Sequence, residues 1–281
     1  MREQPEQANT ANRKKSKGGS LKDAKAHLHA ILGRLETEFC DGLIEIAYTP
    51  SKGNYAVTKA KHFVLSEGGI EAGAEFAIEQ NAKGSNIYIN QALLDPETPR
   101  FKRAADQYFY AATALCVDAD EDASKVLKNL YAHVQPSLRV QTGSKPKPRL
   151  QVWCEYDEPC TNVDEFKDAL ASLTVFSGAD VQSKGALLRR LAGTINYPNE
   201  HKATNGYIRE TTAILEPEAI QAPAARTPDY YQELAPQTAQ WREYEDKFKA
   251  NGSTRPCPAR GEIQRSPLKP GHIGGAESHR R

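Results

Sequence analysis

Apolar residues recur at helical spacing in some segments of the chain and follow strand patterns in others. The segments with helical spacing are 28–39, 70–78, 126–134, 166–173 and 241–248. The strand candidates are 43–47, 86–90, 111–117 and 149–156. Ser20 is a predicted helix N-cap, because its side-chain oxygen can accept from a first-turn N–H group. Asn162 is a second predicted N-cap, which forms a capping-box-like helix start with Glu165. Strands separated by helices predict a layered α/β (α+β) domain over residues 21–215.

The two ends of the chain differ from its middle in charge and in apolar content. The chain has 37 basic and 36 acidic residues, and a formal charge of +1 excludes binding of polyanions by bulk charge alone. Residues 1–20 carry +3 and residues 255–281 carry +4. Both segments have too few apolar residues to offset their ordering entropy, so we expect disordered basic tails. These tails either solubilise the protein or hold nucleic-acid phosphates. Prolines predict a linker within residues 216–254, followed by an amphipathic helix near Trp241.

The sequence also bears on the cellular setting. No stretch approaches the roughly 18 consecutive apolar residues of a membrane span. The N-terminus begins Met1-Arg-Glu-Gln-Pro and lacks the layout of a secretion signal. Five cysteines at irregular spacing do not predict a disulfide framework. We therefore expect a soluble, cytoplasmic protein with no membrane partner.

Two carboxylates follow an apolar strand in the segment Thr113-Ala-Leu-Cys-Val-Asp-Ala-Asp120. Residues i and i+2 of a strand share a face, so we expect Asp118 and Asp120 to lie side by side. Their mutual repulsion is relieved by a proton or by a cation, and oxygen ligands favour Mg²⁺ or Mn²⁺ over zinc. Taken alone, the segment is more typical of an acidic strand-to-helix turn, in which Asp122 would serve at the helix N-terminus.

Three further segments favour a functional site. Residues 140–153 combine a Thr-Gly turn and two lysines with a strand on which Arg149 and Gln151 share a face. A third acid, Asp180, ends an apolar run about sixty residues after the carboxylate pair. Residues 189–198 then read Arg-Arg-Leu-Ala-Gly-Thr-Ile-Asn-Tyr-Pro. Separated carboxylates with a basic, hydrogen-bonding strand between them fit two-metal phosphoryl transfer.

In this order, the segments resemble the archaeo-eukaryotic primase superfamily, and within it the plasmid RepB-like and phage-type DNA primases. The resemblance rests on Val-Asp-Ala-Asp, Thr-Gly with Arg-Leu-Gln-Val-Trp, Gly-Ala-Asp, and Arg-Leu-Ala-Gly-Thr-Ile-Asn. It extends upstream through Gly42-Leu-Ile-Glu-Ile-Ala and Asn81-Ala-Lys-Gly-Ser-Asn-Ile-Tyr-Ile, and covers about residues 40–215. It implies that residues 21–215 form a primase-polymerase catalytic domain, with a mixed sheet and flanking helices.

The resemblance assigns roles to individual residues. The catalytic metal ligands, holding two Mg²⁺ or Mn²⁺ ions, would be Asp118, Asp120 and Asp180. The nucleotide-binding residues would be Thr142, Arg149, Gln151, Arg190 and Lys202, of which the three cations suit phosphate recognition. The family usually has His where Gln151 stands, and Gln can hydrogen-bond a phosphate or sugar but carries no charge. Arg189 and Arg190 point oppositely if they lie on a strand, and Arg190 is our choice for the site.

The implied function is template-directed nucleotidyl transfer from NTP or dNTP, which makes or extends primers in replication. The expected partners are a single-stranded DNA template, nucleoside triphosphates and a separate helicase or replication protein, because the sequence lacks a Gly-x-x-x-x-Gly-Lys motif. Two alternatives stay open. One is a non-catalytic replication-initiation or single-stranded-DNA-binding protein with a primase-like fold, and the other is a metal-dependent phosphotransferase or nuclease. Trp153 either stacks on a template base or lies in the core.

Overall fold

The structure, a computed structural model, describes residues 19–50, 56–100, 103–180, 188–215 and 225–234. The helices of this part of the chain are α1 (Leu21–Leu32), α2 (Gly69–Ala82), α3 (Ala123–Tyr131), α4 (Val163–Ser177), α5 (Glu200–Thr204) and α6 (Pro228–Leu234). Its strands are β1 (Leu43–Tyr48), β2 (Lys59–Val64), β3 (Ile87–Asn90), β4 (Leu93–Leu94), β5 (Phe109–Ala119), β6 (Leu138–Gly143), β7 (Arg149–Cys160), β8 (Leu188–Arg190), β9 (Ile195–Asn196), β10 (Glu210–Thr211), β11 (Ala213–Leu215) and β12 (Ala225–Arg226).

Most of these strands join one large sheet, in the order β11-β6-β7-β5-β4-β1-β3-β8. Strand β2 adds to β1 and β12 adds to β7, while β9 and β10 form a separate two-stranded sheet. The β12–β7 pair is parallel, and the other pairs described are antiparallel. The predicted layered α/β class, with a mixed sheet and flanking helices, is confirmed.

Side-chain caps begin two of the helices that the sequence predicts. The Ser20 side chain accepts a hydrogen bond from the N–H of Asp23 at the start of α1. The Asn162 side chain accepts from the N–H groups of Asp164 and Glu165 at the start of α4. Each bond satisfies a helix N–H that has no partner within its own helix. Both predicted N-caps are confirmed.

The sheet is packed on both faces. One buried cluster contains the apolar faces of α1 and α2, and a second contains those of α3, α4 and α6. Along β5, Cys116 belongs to the first cluster, whereas Leu115 and Val117 belong to the second. Trp153 of β7 is fully buried in the first cluster, with its ring edge-on to that of His27 at 5.3 Å between centroids. Trp153 is therefore a core residue and has no exposed face for a template base.

Pro228, one of the prolines of the predicted linker, has a different role from the predicted one. Pro228 begins α6, and Tyr231 in that helix is fully buried and donates its hydroxyl to the carbonyl of Glu155 at 2.8 Å. Residues 225–234 are thus part of the domain, which corrects the assignment of these residues to a linker. The rest of the predicted linker, the helix near Trp241 and both predicted tails lie outside the described residues, apart from the last two residues of the first tail. Among the described helices, none has both the length and the apolar character that crossing a membrane requires.

Candidate functional site

The pairing of β5 with β7 sets the first part of the site. Asp118 of β5 lies directly opposite Gln151 of β7 in the antiparallel register. Asp118 comes two residues after Cys116, and Gln151 comes two residues before Trp153, which is the partner of Cys116. Because side chains alternate along a strand, Asp118 and Gln151 share the face that carries Cys116 and Trp153. Asp120 follows one residue beyond the end of β5. The end of a buried strand thus carries both predicted acids.

Asp180 reaches these acids through the turn that ends α4. Gly178 adopts a left-handed conformation at φ 73°, which a glycine accepts without strain, and it closes the helix. The N–H of Asp180 then donates to the carbonyl of Asp118 at 2.9 Å. The Asp180 carboxylate accepts from the N–H of Asp120 at 2.7 Å. Hydrogen bonds to the backbone therefore bring Asp180 next to Asp118 and Asp120, from which it is about sixty residues away in sequence.

The electrostatics of Asp120 reflect this crowding. Burial raises the pKa of Asp120 most strongly, and the charges of Asp118 and Asp180 raise it further. The nearby cations Arg149 and Lys202 act in the opposite direction. The end of β5 is therefore a place of concentrated negative charge with positive side chains beside it.

The donor chemistry of the acids fits a hard divalent ion, because Mg²⁺ and Mn²⁺ prefer carboxylate oxygens. In the described part of the chain, however, no group of three or more His, Cys, Asp or Glu side chains is arranged to hold one metal ion. Asp180 directs a carboxylate oxygen at the Asp120 N–H. An ion shared by Asp118, Asp120 and Asp180 would thus require a different set of side-chain rotamers.

A polar pocket adjoins the acids. It is lined by Asp120, Thr142, Arg149, Arg190, Asn196, Pro198, Lys202, Tyr207 and Ile208. Five of the eight residues that the sequence analysis assigned to the site are in this lining. Asp180 contacts both Asp120 and Asp118 instead, and Gln151 lies opposite Asp118. The pocket combines three cations with one carboxylate, so its lining favours an anionic ligand.

Arg149 is held tightly at the base of the pocket. Only 3% of this residue is exposed, and its guanidinium donates to the carbonyl of Lys145 at 2.5 Å. Its Nη2 lies 3.7 Å from a carboxylate oxygen of Glu210. Gly143 makes room for the guanidinium, because a Cβ at that position would lie 1.7 Å from Nη2. The absence of a side chain at residue 143 therefore permits the observed position of Arg149.

The two adjacent arginines of β8 have different surroundings. Arg190 lines the pocket, donates to Asn86 Oδ1 at 3.0 Å and lies over the ring of Tyr88 at 4.9 Å. Arg189 is fully buried and donates to the carbonyl of Cys116 through Nε at 3.2 Å and Nη2 at 2.7 Å. Arg189 thus joins β8 to β5 inside the domain, and Arg190 is the arginine at the pocket.

Lys202 comes from α5, whose N-cap is Asn199. Burial lowers the pKa of Lys202 most strongly, and the charges of Arg190 and Arg149 lower it further. The positive groups of the pocket are therefore close enough to repel one another. A bound anion would relieve that repulsion.

Thr142 and Gln151 differ in their access to the pocket. Thr142 lines it, and its backbone carbonyl accepts from the Asn196 side chain at 3.0 Å. Gln151 is 4% exposed, and its side-chain oxygen has no hydrogen-bond partner among the described residues. The Gln151 side chain therefore lies beneath the surface next to Asp118, where a direct contact with a nucleotide requires it to move.

Sequence reasoning did not assign four lining residues, Asn196, Pro198, Tyr207 and Ile208. Asn196 and Pro198 lie inside the segment that carries the resemblance, but no chemical pattern singles them out. Tyr207 follows an Asn-Gly pair, a common turn signal that says nothing about what the next side chain contacts. Tyr207 and Ile208 enter the site only through the tertiary fold.

The remaining acids after β5 have structural partners. The Asp122 side chain accepts from the N–H of Lys125 and caps α3. Glu121 lies on the surface and pairs with Lys147 at 2.5 Å. The acidic segment is therefore both a strand-to-helix turn and part of the pocket wall, so the two interpretations of the sequence are not exclusive.

Comparison with known proteins identifies the fold. No family model matches the chain, and no curated protein matches its sequence. The structure is similar to that of the archaeo-eukaryotic primase domain (PP-N190) of the primase-polymerase of cyanophage S-2L. The TM-score is 0.51 at 15% sequence identity, and the match covers 78% of this chain and 100% of the cyanophage domain. The chain has the archaeo-eukaryotic primase fold. A structural match at 15% identity shows the fold alone, so the similarity to plasmid RepB-like primases stays a prediction.

Proposed function

We propose that the protein is a primase-polymerase, which transfers nucleotides from NTP or dNTP to a strand paired with a single-stranded DNA template. The observation that supports this function is the position of Asp120. Asp120 contacts Asp180 and also lines the pocket that contains Arg149, Arg190 and Lys202. An acidic centre and a cationic pocket that share a residue suit a reaction in which a triphosphate is cleaved beside an attacking hydroxyl.

The cations would bind the triphosphate. Arg149 and Arg190 present planar guanidinium groups, which recognise phosphate oxygens through paired N–H donors, and Lys202 supplies a point charge. Their positions would hold the phosphate chain on the pocket side of Asp120. The α-phosphate would then lie near Asp120, between the cationic pocket and the acids, where the protein can orient it toward the end of the primer.

Asp118, Asp120 and Asp180 would hold the divalent ions of this reaction. When bound, Mg²⁺ or Mn²⁺ lowers the pKa of the attacking hydroxyl and neutralises the leaving pyrophosphate. The protein itself contributes position and charge. Its β5–β7 register and the turn after α4 hold the acids together, and the cations fix the triphosphate.

The direct test is incubation of the purified protein with a single-stranded DNA template, labelled NTPs or dNTPs, and Mg²⁺ or Mn²⁺. Template-dependent products are expected, and Asp118→Asn should abolish them. Asp122→Asn is a matched control, because it makes the same chemical change four residues away while Asn remains a good helix cap. Loss of product in Asp118→Asn with retention in Asp122→Asn supports the proposal. Equal activity in both variants would contradict it.

One observation favours a second candidate function, that of a non-catalytic replication-initiation or single-stranded-DNA-binding protein. The three carboxylates do not converge as a metal-binding group in the part of the chain described. For that function we expect salt-dependent DNA binding without product in the same assay. Shortening of the template would instead indicate a nuclease. The single-stranded DNA template and a separate helicase or replication protein belong to the proposal as its partners.

A further inference from the structure

The three cations of the pocket, Arg149, Arg190 and Lys202, form few salt bridges with carboxylates. Within the described part of the chain, neither Arg190 nor Lys202 forms a salt bridge. Glu210 is 3.7 Å from Arg149 and also accepts from the N–H of Ser144 at 2.7 Å. The negative charge of Glu210 is therefore shared with the backbone. Asp120, which lines the same pocket, attracts Arg149 and Lys202, and groups without a net charge also contact the three cations.

Two tyrosine rings contact the three cations. The Arg149 guanidinium lies 4.2 Å from the ring centroid of Tyr207, and the Lys202 ammonium lies 5.4 Å from the same centroid. The Tyr88 ring is 4.9 Å from the Arg190 guanidinium. All three distances are within the roughly 6 Å range of cation–π attraction. Because a ring attracts a cation without carrying a net charge, the positive charge stays available to a ligand.

The backbone fixes Tyr207 in this position. Gly206 adopts a left-handed conformation at φ 81°, which turns the chain back after α5. The N–H of Tyr207 then donates to the carbonyl of Lys202 at 3.1 Å. The paired strands β9 and β10 flank this turn in sequence, and the Asn196 side chain of β9 donates to the carbonyl of Thr142. Tyr207 is thus tied both to the helix that carries Lys202 and to the strands beneath the pocket.

We propose that Tyr207 is a positioning residue of a triphosphate-binding site, whose ring holds Arg149 and Lys202 ready for phosphate oxygens without neutralising them. This inference rests on the proposed function for the identity of its ligand, a nucleoside triphosphate. Tyr207 acts on the binding of the phosphate chain of that ligand, because it positions the cations Arg149 and Lys202. The inference therefore extends to inorganic tripolyphosphate, which carries the same anionic groups without base or sugar.

The experiment titrates the full chain with inorganic tripolyphosphate in EDTA, by calorimetry, so that divalent ions play no part. The wild-type protein is expected to bind. Tyr207→Leu should weaken binding about tenfold, and Tyr207→Phe should stay within about twofold, because the aromatic face is what attracts the cations. Tyr230→Leu is the matched control: its ring lies the same 4.2 Å from a guanidinium, that of Arg226, outside the pocket. This control should bind as the wild type does.

Fluorinated phenylalanines at position 207 test the same idea without a change of shape. Each added fluorine withdraws electron density from the ring, so tripolyphosphate affinity should fall stepwise from Phe to pentafluorophenylalanine. These variants also serve if Tyr207→Leu fails to fold. A flat series, or wild-type affinity in Tyr207→Leu, would overturn the inference, as would the absence of tripolyphosphate binding by the wild type.

The outcomes separate this inference from the proposed function. If the protein synthesises template-dependent products but binds tripolyphosphate equally well with and without the Tyr207 ring, the proposed function is supported and the positioning role of Tyr207 is excluded. If tripolyphosphate binding depends on Tyr207 but no synthesis is seen, the positioning role is supported and the proposed function is contradicted. In an active protein, Tyr207→Leu should raise the KM for nucleotide about tenfold and change kcat by less than about twofold, since binding to the phosphate chain is lost uniformly. An unchanged KM would count against the inference.

Discussion

The backbone N–H of Asp120 donates to the carboxylate of Asp180 at 2.7 Å and thereby joins the end of β5 to the turn after α4. The reciprocal bond runs from the Asp180 N–H to the carbonyl of Asp118. Two backbone-anchored contacts hold acids that are about sixty residues apart in sequence. This arrangement keeps negative charge at the edge of a pocket whose other ionic groups are cations, and it makes the site testable residue by residue.

Replacement of Asp180 by Asn should separate charge from geometry. The Asn side chain keeps an oxygen that can accept from the Asp120 N–H, so the fold should be retained. The charge is lost, and we expect primer synthesis to fall by about 100-fold or more, because a neutral amide holds a divalent ion much less well than a carboxylate does. A primer-extension assay and a thermal melt check the two parts. Full synthesis by Asp180→Asn would remove Asp180 from the site.

Gly143→Ala should disturb the pocket through Arg149. The added Cβ would lie 1.7 Å from Nη2 of that buried guanidinium, which must therefore move away from its observed position. Loss of a charge-assisted contact to phosphate costs about 1.5–3 kcal/mol, which weakens nucleotide binding about tenfold or more. Nucleotide titration measures this effect. Gly73→Ala in α2 is the control, because its Cβ would meet neighbours at an ordinary 3.6 Å and affinity should be unchanged.

Arg189 and Arg190 should give opposite phenotypes when each is replaced by Met. Arg189→Met removes the donors to the buried Cys116 carbonyl and should lower the free energy of unfolding by about 2–4 kcal/mol. Arg190→Met should lower nucleotide affinity about tenfold with a loss of stability under about 1 kcal/mol. Urea denaturation and nucleotide titration on both variants check the contrast. Equal effects of the two substitutions on affinity would contradict the different places of the two side chains.

His27 should make folding stability depend on acid pH. Complete burial lowers the pKa of His27 to about 3 from its ordinary value of 6.5, and the Ala192 N–H donates to its Nδ1. The unfolded chain therefore binds a proton before the folded one does. The contribution of His27 is fully present above pH 6.5 and is lost as pH falls toward 3, by on the order of 4 kcal/mol at pH 3.

Urea denaturation between pH 8 and pH 4 measures this effect. His27→Gln should flatten the fall of stability below pH 6.5, whatever its absolute stability. His29→Gln is the control, because His29 lies on the same helix with a half-exposed side chain. An unaltered slope in His27→Gln would show that other groups cause the acid dependence.

Local patterns predict much of the fold, for a physical reason. Spacing of apolar residues reflects which face of an element is buried, and a capping side chain acts within three residues of itself. The helices α1 to α4, the strands β1, β3, β5 and β7, and the caps Ser20 and Asn162 follow from such short-range terms. Pro228 was misjudged, because proline suits the first turn of a helix as well as a linker. Whether α6 forms depends on packing against α4.

The site depends more on tertiary structure. The position of Asp118 opposite Gln151 follows from a β5–β7 register that no local pattern specifies, and burial of Gln151 beneath the surface follows from the same pairing. Which acid contacts which, and which arginine reaches the pocket, depend on turns and on chain segments far apart in sequence. Residue types and their order carry the chemistry: acids for a divalent ion, cations for phosphate. Assembly of the pocket, with Tyr207 against Arg149 and Lys202, depends on long-range packing, because a ring attracts a cation only where the fold brings them within a few ångströms.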